Sequence, residues 1–218
     1  MVQIYQPFIE TFLSFLFPDV CIGCRQVGTL LCKQCQSTCI PYPDTDVLNI
    51  ADIKETYVGF VFDEILRTAV HQLKYHRQRR IAQPLAELLV EPTSEFLPPH
   101  LPLLPVPLHQ SRYQERGFNQ AEEIARFLSR KLEVPMIDDG LIRSLATEHQ
   151  VGMNAQERQR NVQGAFVWNV KKKPPRRLIL VDDVLTTGAT MGACAIALRE
   201  VGVNEVYGLA LARSYRER

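Results

Sequence analysis

The sequence predicts an α/β fold, in which a mainly parallel sheet is covered by helices and a small cysteine-rich domain precedes it. From Thr56 onward, short apolar runs alternate with longer segments of helical periodicity, which is the pattern of a parallel sheet covered on both faces. Five of the six cysteines fall between residues 21 and 39, ahead of this alternation. The 218 residues suffice for one domain of ordinary size and a small appendage, and we predict domains 1–50 and 51–218.

The first residues, MVQIYQPFIETFLSFLFP, are apolar and aromatic. They predict an amphipathic helix, with Phe8, Phe12, Phe15 and Leu16 on one face, that docks on the rest of the protein. No Lys or Arg stands near the start, and Glu10 interrupts an apolar run far shorter than the roughly 20 residues of a membrane span. We therefore predict a cytoplasmic protein without stable membrane insertion, and weak membrane contact by this helix is the less favoured alternative.

Four of the early cysteines are spaced as two CxxC pairs, Cys21, Cys24, Cys32 and Cys35. Two such pairs present four thiolates that converge on one tetrahedral ion, which predicts a closed structural zinc site. A segment this small builds no core of its own, so the metal would supply its stability. The alternative is a disulfide framework, which needs an oxidising compartment and is disfavoured by the lack of an export signal. Cys39 stands outside the spacing, and Cys194 is expected to be a small core residue on a helix.

Apolar periodicity gives the elements of the second domain in chain order. In the clearest helix, 119–134, Ala121, Ile124, Ala125 and Leu128 share one face. Short apolar runs bounded by polar or turn-forming residues indicate the strands. The predicted strands are 57–62, 101–109, 176–184 and 205–213, and the predicted helices are 62–76, 81–92, 119–134 and 190–202.

The stretch LILVDDVLTTGAT, residues 178–190, joins an apolar strand to two adjacent acids and then to a loop of hydroxyls and a glycine that leads into a helix. Ligands of parallel sheets bind beyond the carboxyl ends of the strands, and the N–H groups of a helix N-terminus bind anions. The loop therefore favours a phosphate, whereas Asp182 and Asp183 suit neutral hydroxyls such as those of a ribose. A P-loop, a GxGxxG dinucleotide fingerprint and a receiver domain are each excluded because a required residue is missing. A plain capped helix with Thr187 as N-cap is the remaining alternative, and two acids at a buried strand end make it costly.

The same stretch resembles the phosphoribosyl pyrophosphate (PRPP) motif of type I phosphoribosyltransferases. Nearly the whole chain resembles one branch of that group, the ComF family of competence-associated proteins, which has GntX-type relatives. The resemblance rests on five features in order: FLFPDVCIGC with the second cysteine pair, LKYH, VPLHQSRYQERGFNQAEEIA, RSLATEHQVGMNAQERQRNVQGAF and the PRPP motif. It implies a type I phosphoribosyltransferase-like core with a small zinc-ribbon-like domain in front.

The resemblance also implies a site. Asp182 and Asp183 would bind the ribose hydroxyls at the reacting sugar. The 5-phosphate would lie in the loop of Val184, Leu185, Thr186, Thr187, Gly188, Ala189 and Thr190. A pyrophosphate loop would contain Pro107, Leu108 and His109, with Arg112 and Arg116 on the diphosphate. A flexible loop that closes over the ligand would carry Arg143, Gln150, Arg158 and Asn161. Magnesium would be bound mostly by the diphosphate and ribose oxygens.

Two functions follow from these expectations. In the first, the protein binds Mg-PRPP, acts as a phosphoribosyltransferase on an unknown acceptor and is linked to DNA uptake. In the second, it is a non-catalytic competence factor that binds single-stranded DNA or a DNA-translocating ATPase, with PRPP as a regulator only. A net charge of +1 excludes binding of polyanions by bulk charge, so DNA would have to contact the local clusters at 76–80 and 171–177. The nearby aromatics Tyr75, Tyr113 and Trp168 would either stack on bases or pack in the protein, and for Trp168 we favour packing.

Overall fold

The computed structural model describes residues 18–43, 48–75, 78–144, 164–171 and 173–214. The predicted N-terminal helix over residues 1–17 lies outside these ranges. Among the described residues, no helix combines the length and apolarity that crossing a membrane requires.

The described elements alternate between strand and helix from residue 55 to residue 213. In chain order they are α1 (Lys33–Ser37), β1 (Glu55–Val61), α2 (Glu64–Tyr75), a 3₁₀ turn (Arg79–Ile81), α3 (Ala82–Phe96), β2 (Leu103–Pro105), α4 (Gln110–Arg116), α5 (Gln120–Leu132), β3 (Leu141–Arg143), β4 (Phe166–Trp168), β5 (Arg177–Leu185), α6 (Ala189–Glu200) and β6 (Glu205–Arg213).

The main sheet has the order β1-β6-β5-β2, and all its pairs are parallel. A second, two-stranded sheet pairs β3 with β4 in antiparallel fashion. Helices α2, α3 and α5 bury their apolar residues on one face of the main sheet, and α6 covers the other face with help from β4. The predicted α/β class with a mainly parallel sheet is confirmed.

Strand β2 is much shorter than the predicted strand 101–109. Pro102, Pro105 and Pro107 lack the N–H that a sheet ladder needs, so only Leu103–Pro105 pairs with β5. Prolines are tolerated at edge strands, and β2 is the edge of the sheet. The strand ends just before residue 107, and the chain turns there toward the candidate site.

The cysteine-rich segment packs against the α/β body. Leu31 is almost fully buried and belongs to the same apolar cluster as the inner faces of α2 and α3. Farther along, Pro41 forms an antiparallel bridge with Phe60 of β1. Ile50, at the predicted boundary, is buried on the opposite face of the sheet beside α6. The boundary between the two domains stays a prediction.

Candidate functional site

A cleft of about 240 Å³ opens at the carboxyl ends of β2 and β5. Its walls come from the end of α2, the turn after β2, the start of α5, strand β3 and the end of β5. The lining residues are Lys74, Tyr75, Val106, Pro107, Leu108, His109, Ser111, Arg112, Arg116, Asn119, Gln120, Ala121, Arg143, Asp182, Asp183 and Thr190. Nine of the predicted site residues therefore come together here: Pro107, Leu108, His109, Arg112, Arg116, Arg143, Asp182, Asp183 and Thr190.

The two acids lie on β5, where it runs past the end of β2. The backbone N–H of Asp183 donates to Oδ1 of Asp182 over 2.9 Å, and the N–H of Val184 donates to Oδ1 of Asp183 over 2.8 Å. The other oxygen of Asp183, Oδ2, lies 2.6 Å from Nζ of Lys74 on α2. Both side chains of this ion pair are largely buried, with exposed fractions of 22% for Lys74 and 11% for Asp183. Lys74 therefore neutralises Asp183 inside the cleft.

The two carboxyl groups differ in their proton affinity because only one is paired with a cation. Burial, together with the negative charge of Asp183, raises the pKa of Asp182 to about 8. Burial would also raise the pKa of Asp183, but the Lys74 ammonium outweighs it and lowers the pKa below its ordinary value. Near neutral pH the pair therefore holds one proton, on Asp182, and one negative charge, on Asp183.

We expect Asp182→Asn to become increasingly stabilising relative to the wild type as pH rises. A folded-state pKa raised from 3.8 to about 8 contributes stability that is complete below pH 3.8 and is lost as pH rises through 8. Asparagine carries no such penalty, so the melting temperature of Asp182→Asn should exceed the wild-type value by more than about 5 °C at pH 8 and by much less at pH 5. Thermal melts at both pH values test this, with the exposed acid substitution Asp138→Asn as the control. A difference that does not change with pH would contradict the prediction.

Three guanidinium groups face the cleft. Arg116, at the end of α4, is only 7% exposed, so it is a buried cation and not a surface charge. Arg112 is half-buried on the preceding turn of the same helix. Arg143 stacks over the ring of Phe166 at 5.5 Å; burial chiefly, and to a lesser degree repulsion from Arg112, lowers its pKa. With Lys74, the lining has four cations and two acids, so the cleft suits an anionic ligand.

His109 is part of the backbone scaffold of the turn after β2. It is the N-cap of α4, and its Nδ1 accepts the N–H of Ser111 over 3.2 Å. The hydroxyl of Ser111 also lies 2.8 Å from the same Nδ1. The ring is thus held by α4 at the rim of the cleft, which agrees with a structural histidine.

The loop after β5 is shorter than the predicted phosphate loop 184–190. Val184 and Leu185 belong to β5, since they pair with Ala212 and Arg213 of β6, and α6 begins at Ala189. This corrects the predicted loop to 186–188. The backbone N-cap position of α6 is Gly188, in the left-handed region at φ 80°, but Thr187 supplies the capping side chain, since its hydroxyl accepts the N–H of Ala189 over 3.3 Å. Of the seven predicted phosphate-loop residues, only Thr190 lines the cleft.

Gly188 has a packing role that the sequence did not indicate. A Cβ atom at this position would lie 2.7 Å from Cδ1 of Ile50. The backbone of Gly188 therefore packs closely against Ile50, in the segment ahead of β1, and this contact leaves no room for a side chain at position 188.

The predicted flexible loop is only partly described. Gln150, Arg158 and Asn161 lie outside the described residues. Arg143 was predicted to belong to this loop, and that is wrong: it is on strand β3, because Leu141–Arg143 pairs with Phe166–Trp168.

Three polar residues of the cleft received no role from the sequence. Lys74, Asn119 and Gln120 fall inside the quoted motifs LKYH and GFNQ, which marked the resemblance but did not indicate what each side chain contacts. Asn119 caps α5 by accepting the N–H of Ala121 over 3.1 Å, and its amide donates to the carbonyl of Val106 over 2.9 Å. The start of α5 is thereby fixed to the end of β2.

The four cysteines of the CxxC pairs converge as their spacing predicts. Their sulfur atoms all lie within 4.8 Å of one another, and those of Cys24 and Cys32 are 3.6 Å apart. Four sulfurs around one tetrahedral ion are about 3.8 Å apart, given Zn–S bonds of about 2.3 Å. All six cysteines are described and all are free thiols, which disfavours the disulfide alternative. The cluster is therefore a set of four ligands that fits one metal ion.

Burial and hydrogen bonding within the cluster shift the pKa values of its thiols in opposite directions. Burial raises the pKa of Cys21, but hydrogen bonds from the backbone N–H groups of Cys32, Cys24 and Gly23 outweigh it and lower the pKa to about 6. Burial, with the neighbouring thiols, raises the pKa of Cys35 to about 12. Cys39 is buried outside the group, and its thiol donates to the carbonyl of Cys35 over 3.5 Å. Cys194 is fully buried on α6, as predicted.

The two basic clusters differ: the described cations of the cluster at 76–80 are engaged in the fold, whereas those of the cluster at 171–177 are exposed. Arg79 donates to the carbonyl of Gly117 and lies over the ring of Phe118 at 4.7 Å. Arg80 forms a bidentate ion pair with Asp19, at 2.9 and 2.6 Å. Lys171, Lys173, Arg176 and Arg177 are exposed near the start of β5, at the opposite end of that strand from the acids. Arg77 and Lys172 lie outside the described residues.

Of the three aromatic residues, Tyr75 and Tyr113 are exposed, and Trp168 is buried in the core as predicted.

Relatives of known name cover most of the chain. "Competence protein F" of Haemophilus influenzae is 37% identical over 158 residues, which are 69% of this chain and 69% of that protein. "DNA utilization protein YhgH" of Escherichia coli O157:H7 is 30% identical over 90% of this chain and 89% of its own length. "Competence protein ComFC" of Bacillus subtilis is 28% identical over 87% of this chain and 82% of its own length. The chain belongs to the ComF family. No protein-family model matches it.

A solved structure, described as the glutamine mutant of an invariant aspartic acid in HPRTs, also matches the ComF chain. It is 12% identical, covers 63% of this chain and 67% of its own, and has a TM-score of 0.35. At that score the likeness carries no argument about the site.

Proposed function

We propose that this ComF protein binds Mg-PRPP in the cleft at the carboxyl edge of the sheet, and that it acts in DNA uptake. One observation carries the proposal: an acid pair and an excess of cations share one cleft beyond the ends of parallel strands. A phosphorylated sugar with a diphosphate offers both hydroxyls for the acids and oxyanions for the guanidiniums. The link to DNA uptake rests on the names of the relatives, "Competence protein F" and "DNA utilization protein YhgH".

The two acids would share the ribose hydroxyls. Asp183, held ionised by Lys74, accepts hydrogen bonds, while protonated Asp182 both donates and accepts. The guanidiniums of Arg112 and Arg116 would bind the diphosphate, for which their donor forks are suited. The 5-phosphate would lie at the start of α6, near Thr190, because the N-terminus of a helix favours anions. The cleft would thus have two parts: one binds the hydroxyls of the ligand, and the other binds its phosphate groups.

Magnesium would be bound mostly by the diphosphate and ribose oxygens, and the ionised carboxylate of Asp183 beside them suits a hard cation. When bound, it would neutralise charge on the diphosphate. If the protein is a transferase, a nucleophile attacks C1 of the ribose, the C1–O bond breaks, and the diphosphate departs with the bonding electrons. The protein would contribute orientation and neutralise the charge of the leaving group.

Calorimetric titration with Mg-PRPP tests the proposal. We expect Asp183→Asn to weaken binding at least tenfold, since it removes a charged acceptor from a ribose hydroxyl. Asp182→Asn should have a smaller effect near pH 7, because the acid it replaces is already neutral. Asp138→Asn, an exposed acid in a turn outside the cleft, is the control. Failure of the wild type to bind Mg-PRPP would contradict the proposal.

A second function is a DNA-binding or partner-binding competence factor in which PRPP is a regulator. The names "DNA utilization protein" and "competence protein" favour it. The partners would be single-stranded DNA and a DNA-translocating ATPase, and the exposed cations near the start of β5 offer a contact surface. Mg-PRPP binding without pyrophosphate release from any nucleobase or amine, together with DNA affinity that falls steeply with salt, would favour this function.

We also propose that the four-cysteine cluster holds one structural Zn²⁺. Support comes from the convergence of four sulfurs, the ligand type that zinc favours in closed sites. All four positions would be filled by protein, so the ion would organise the segment and take no part in chemistry.

A further inference from the structure

Two buried hydrogen-bond donors in the cleft have no acceptor. Gln120, the first residue of α5, is 3% exposed, and its Nε2 has no partner among the described residues. The same holds for Nε of Arg116, which is 7% exposed. Both residues line the cleft that holds the acid pair. A buried donor without an acceptor costs about 1–3 kcal/mol, so two such donors on residues that contact each other point to a ligand that accepts from them.

The orientation of the Gln120 amide is fixed by chemistry. Nη1 of Arg116 donates to Oε1 of Gln120 over 2.9 Å. Because a guanidinium only donates, rotating the amide would bring two donors together, so Oε1 must face Arg116. The NH₂ of Gln120 is then directed away from Arg116 and requires an acceptor of its own.

The backbone around this pair is rigid. Gly117, in the left-handed region at φ 79°, ends α4, and its carbonyl accepts from Arg79. Two residues later, Asn119 caps α5 and is bonded to the end of β2. The side chain of Arg116 lies over the ring of Tyr75 at 5.3 Å. The two donors are therefore held in place before any ligand arrives.

The ligand that satisfies both donors must accept hydrogen bonds and carry negative charge. Arg116 already contributes to lowering the pKa of Asp183, so this corner of the cleft adjoins the acid pair. An oxyanion accepts hydrogen bonds from both N–H groups and is attracted by the guanidinium charge.

We infer that Gln120, oriented by Arg116, is a ligand-binding residue that forms an oxyanion subsite beside the acid pair, and that this subsite selects ligands bearing a diphosphate. The inference rests on the proposed binding of PRPP. It assigns to Gln120 the discrimination between PRPP and ribose 5-phosphate, which lacks the diphosphate.

Calorimetry with three probes tests this: Mg-PRPP, inorganic pyrophosphate with Mg²⁺, and ribose 5-phosphate. For Gln120→Leu we expect about tenfold weaker binding of PRPP and pyrophosphate, since one hydrogen bond to a charged group is lost. The affinity for ribose 5-phosphate should stay within about twofold, because that ligand does not reach the subsite. Gln114→Leu, an exposed glutamine on α4, is the matched control.

Gln120→Glu separates ligand binding from a purely structural role. It keeps an oxygen for Arg116 but replaces the NH₂ with a second acceptor. If Gln120 contacts the anion, Gln120→Glu should bind pyrophosphate more weakly than Gln120→Leu does. If Gln120 only positions Arg116, Gln120→Glu should be the better tolerated variant, and the inference would be overturned.

The outcomes distinguish this inference from the proposed function. If the wild type binds PRPP and Gln120→Leu weakens all three probes equally or none, the subsite is wrong and PRPP binding stands. If the wild type binds pyrophosphate through Gln120 but binds no ribose 5-phosphate, the subsite stands and the sugar site fails.

Discussion

Substituting Cys24 should destabilise the protein far more than substituting Cys39, although Cys39 is the buried one. Cys24 is exposed, so Cys24→Ala sacrifices little packing, but it removes one of the four sulfurs of the cluster. Cys39 is 5% exposed and lies outside that cluster. A structural Zn²⁺ contributes about 10–16 kcal/mol of binding free energy in small domains, and part of it is folding free energy. We expect Cys24→Ala to lose the ion and more than about 10 °C in melting temperature.

The measurements are metal content and thermal unfolding of wild type, Cys24→Ala and Cys39→Ala, each with and without a chelator. Wild type and Cys39→Ala should carry one ion per chain and lose stability with the chelator. Because Leu31 and Cys32 belong to the apolar cluster of α2 and α3, the loss should reach the α/β body. Packing alone would give the opposite ranking, with Cys39→Ala the less stable variant. That ranking, or a wild type without metal, would refute the proposed site.

The long strands and helices of the α/β body and their order could be predicted from local pattern, because each depends on neighbours in sequence. The short elements α4, β3 and β4 were not predicted. Strand 205–213 was predicted with its observed bounds, and helix 119–134 was within two residues of Gln120–Leu132. The prediction failed at residues 101–109, where apolar content indicates a strand but three prolines remove the ladder donors. At the start of α6 it held in part: the hydroxyl of Thr187 accepts the N–H of Ala189, but the backbone N-cap position belongs to Gly188.

The candidate site could be predicted only where its residues are sequence neighbours. Asp182 and Asp183 are adjacent and come directly after an apolar run, so the sequence pattern alone identifies them. Lys74 is more than a hundred positions away, and only the packing of α2 against the end of β5 brings it to Asp183. Spacing along the chain carries no information about such a contact. The same holds for Gln120, whose role depends on the carboxyl ends of β2 and β5 meeting at one edge.

We expect Lys74→Met to destabilise the protein by about 3 kcal/mol, because it leaves the carboxylate of Asp183 buried without a cation. In a protein of this size that is a fall in melting temperature of roughly 6–12 °C. The ion pair is short, at 2.6 Å, and largely buried. Adding Asp183→Asn to Lys74→Met should recover most of the loss, since the remaining amide needs no counter-charge.

The pH dependence identifies the carboxylate as the cause. Lys74 lowers the pKa of Asp183 below its ordinary value of 3.8, so the stability it contributes is present above that value and is lost as pH falls through the folded-state pKa. In Lys74→Met burial acts on Asp183 without the lysine and raises its pKa, so the difference between wild type and Lys74→Met should be largest at pH 7 and shrink as pH falls toward the wild-type pKa. Lys54→Met is the matched control, because its ion pair with Glu205, at 2.9 Å, is exposed and should contribute little. If the two lysine variants lose equal stability, or the double variant recovers none, the buried pair does not hold the acid in its charged state.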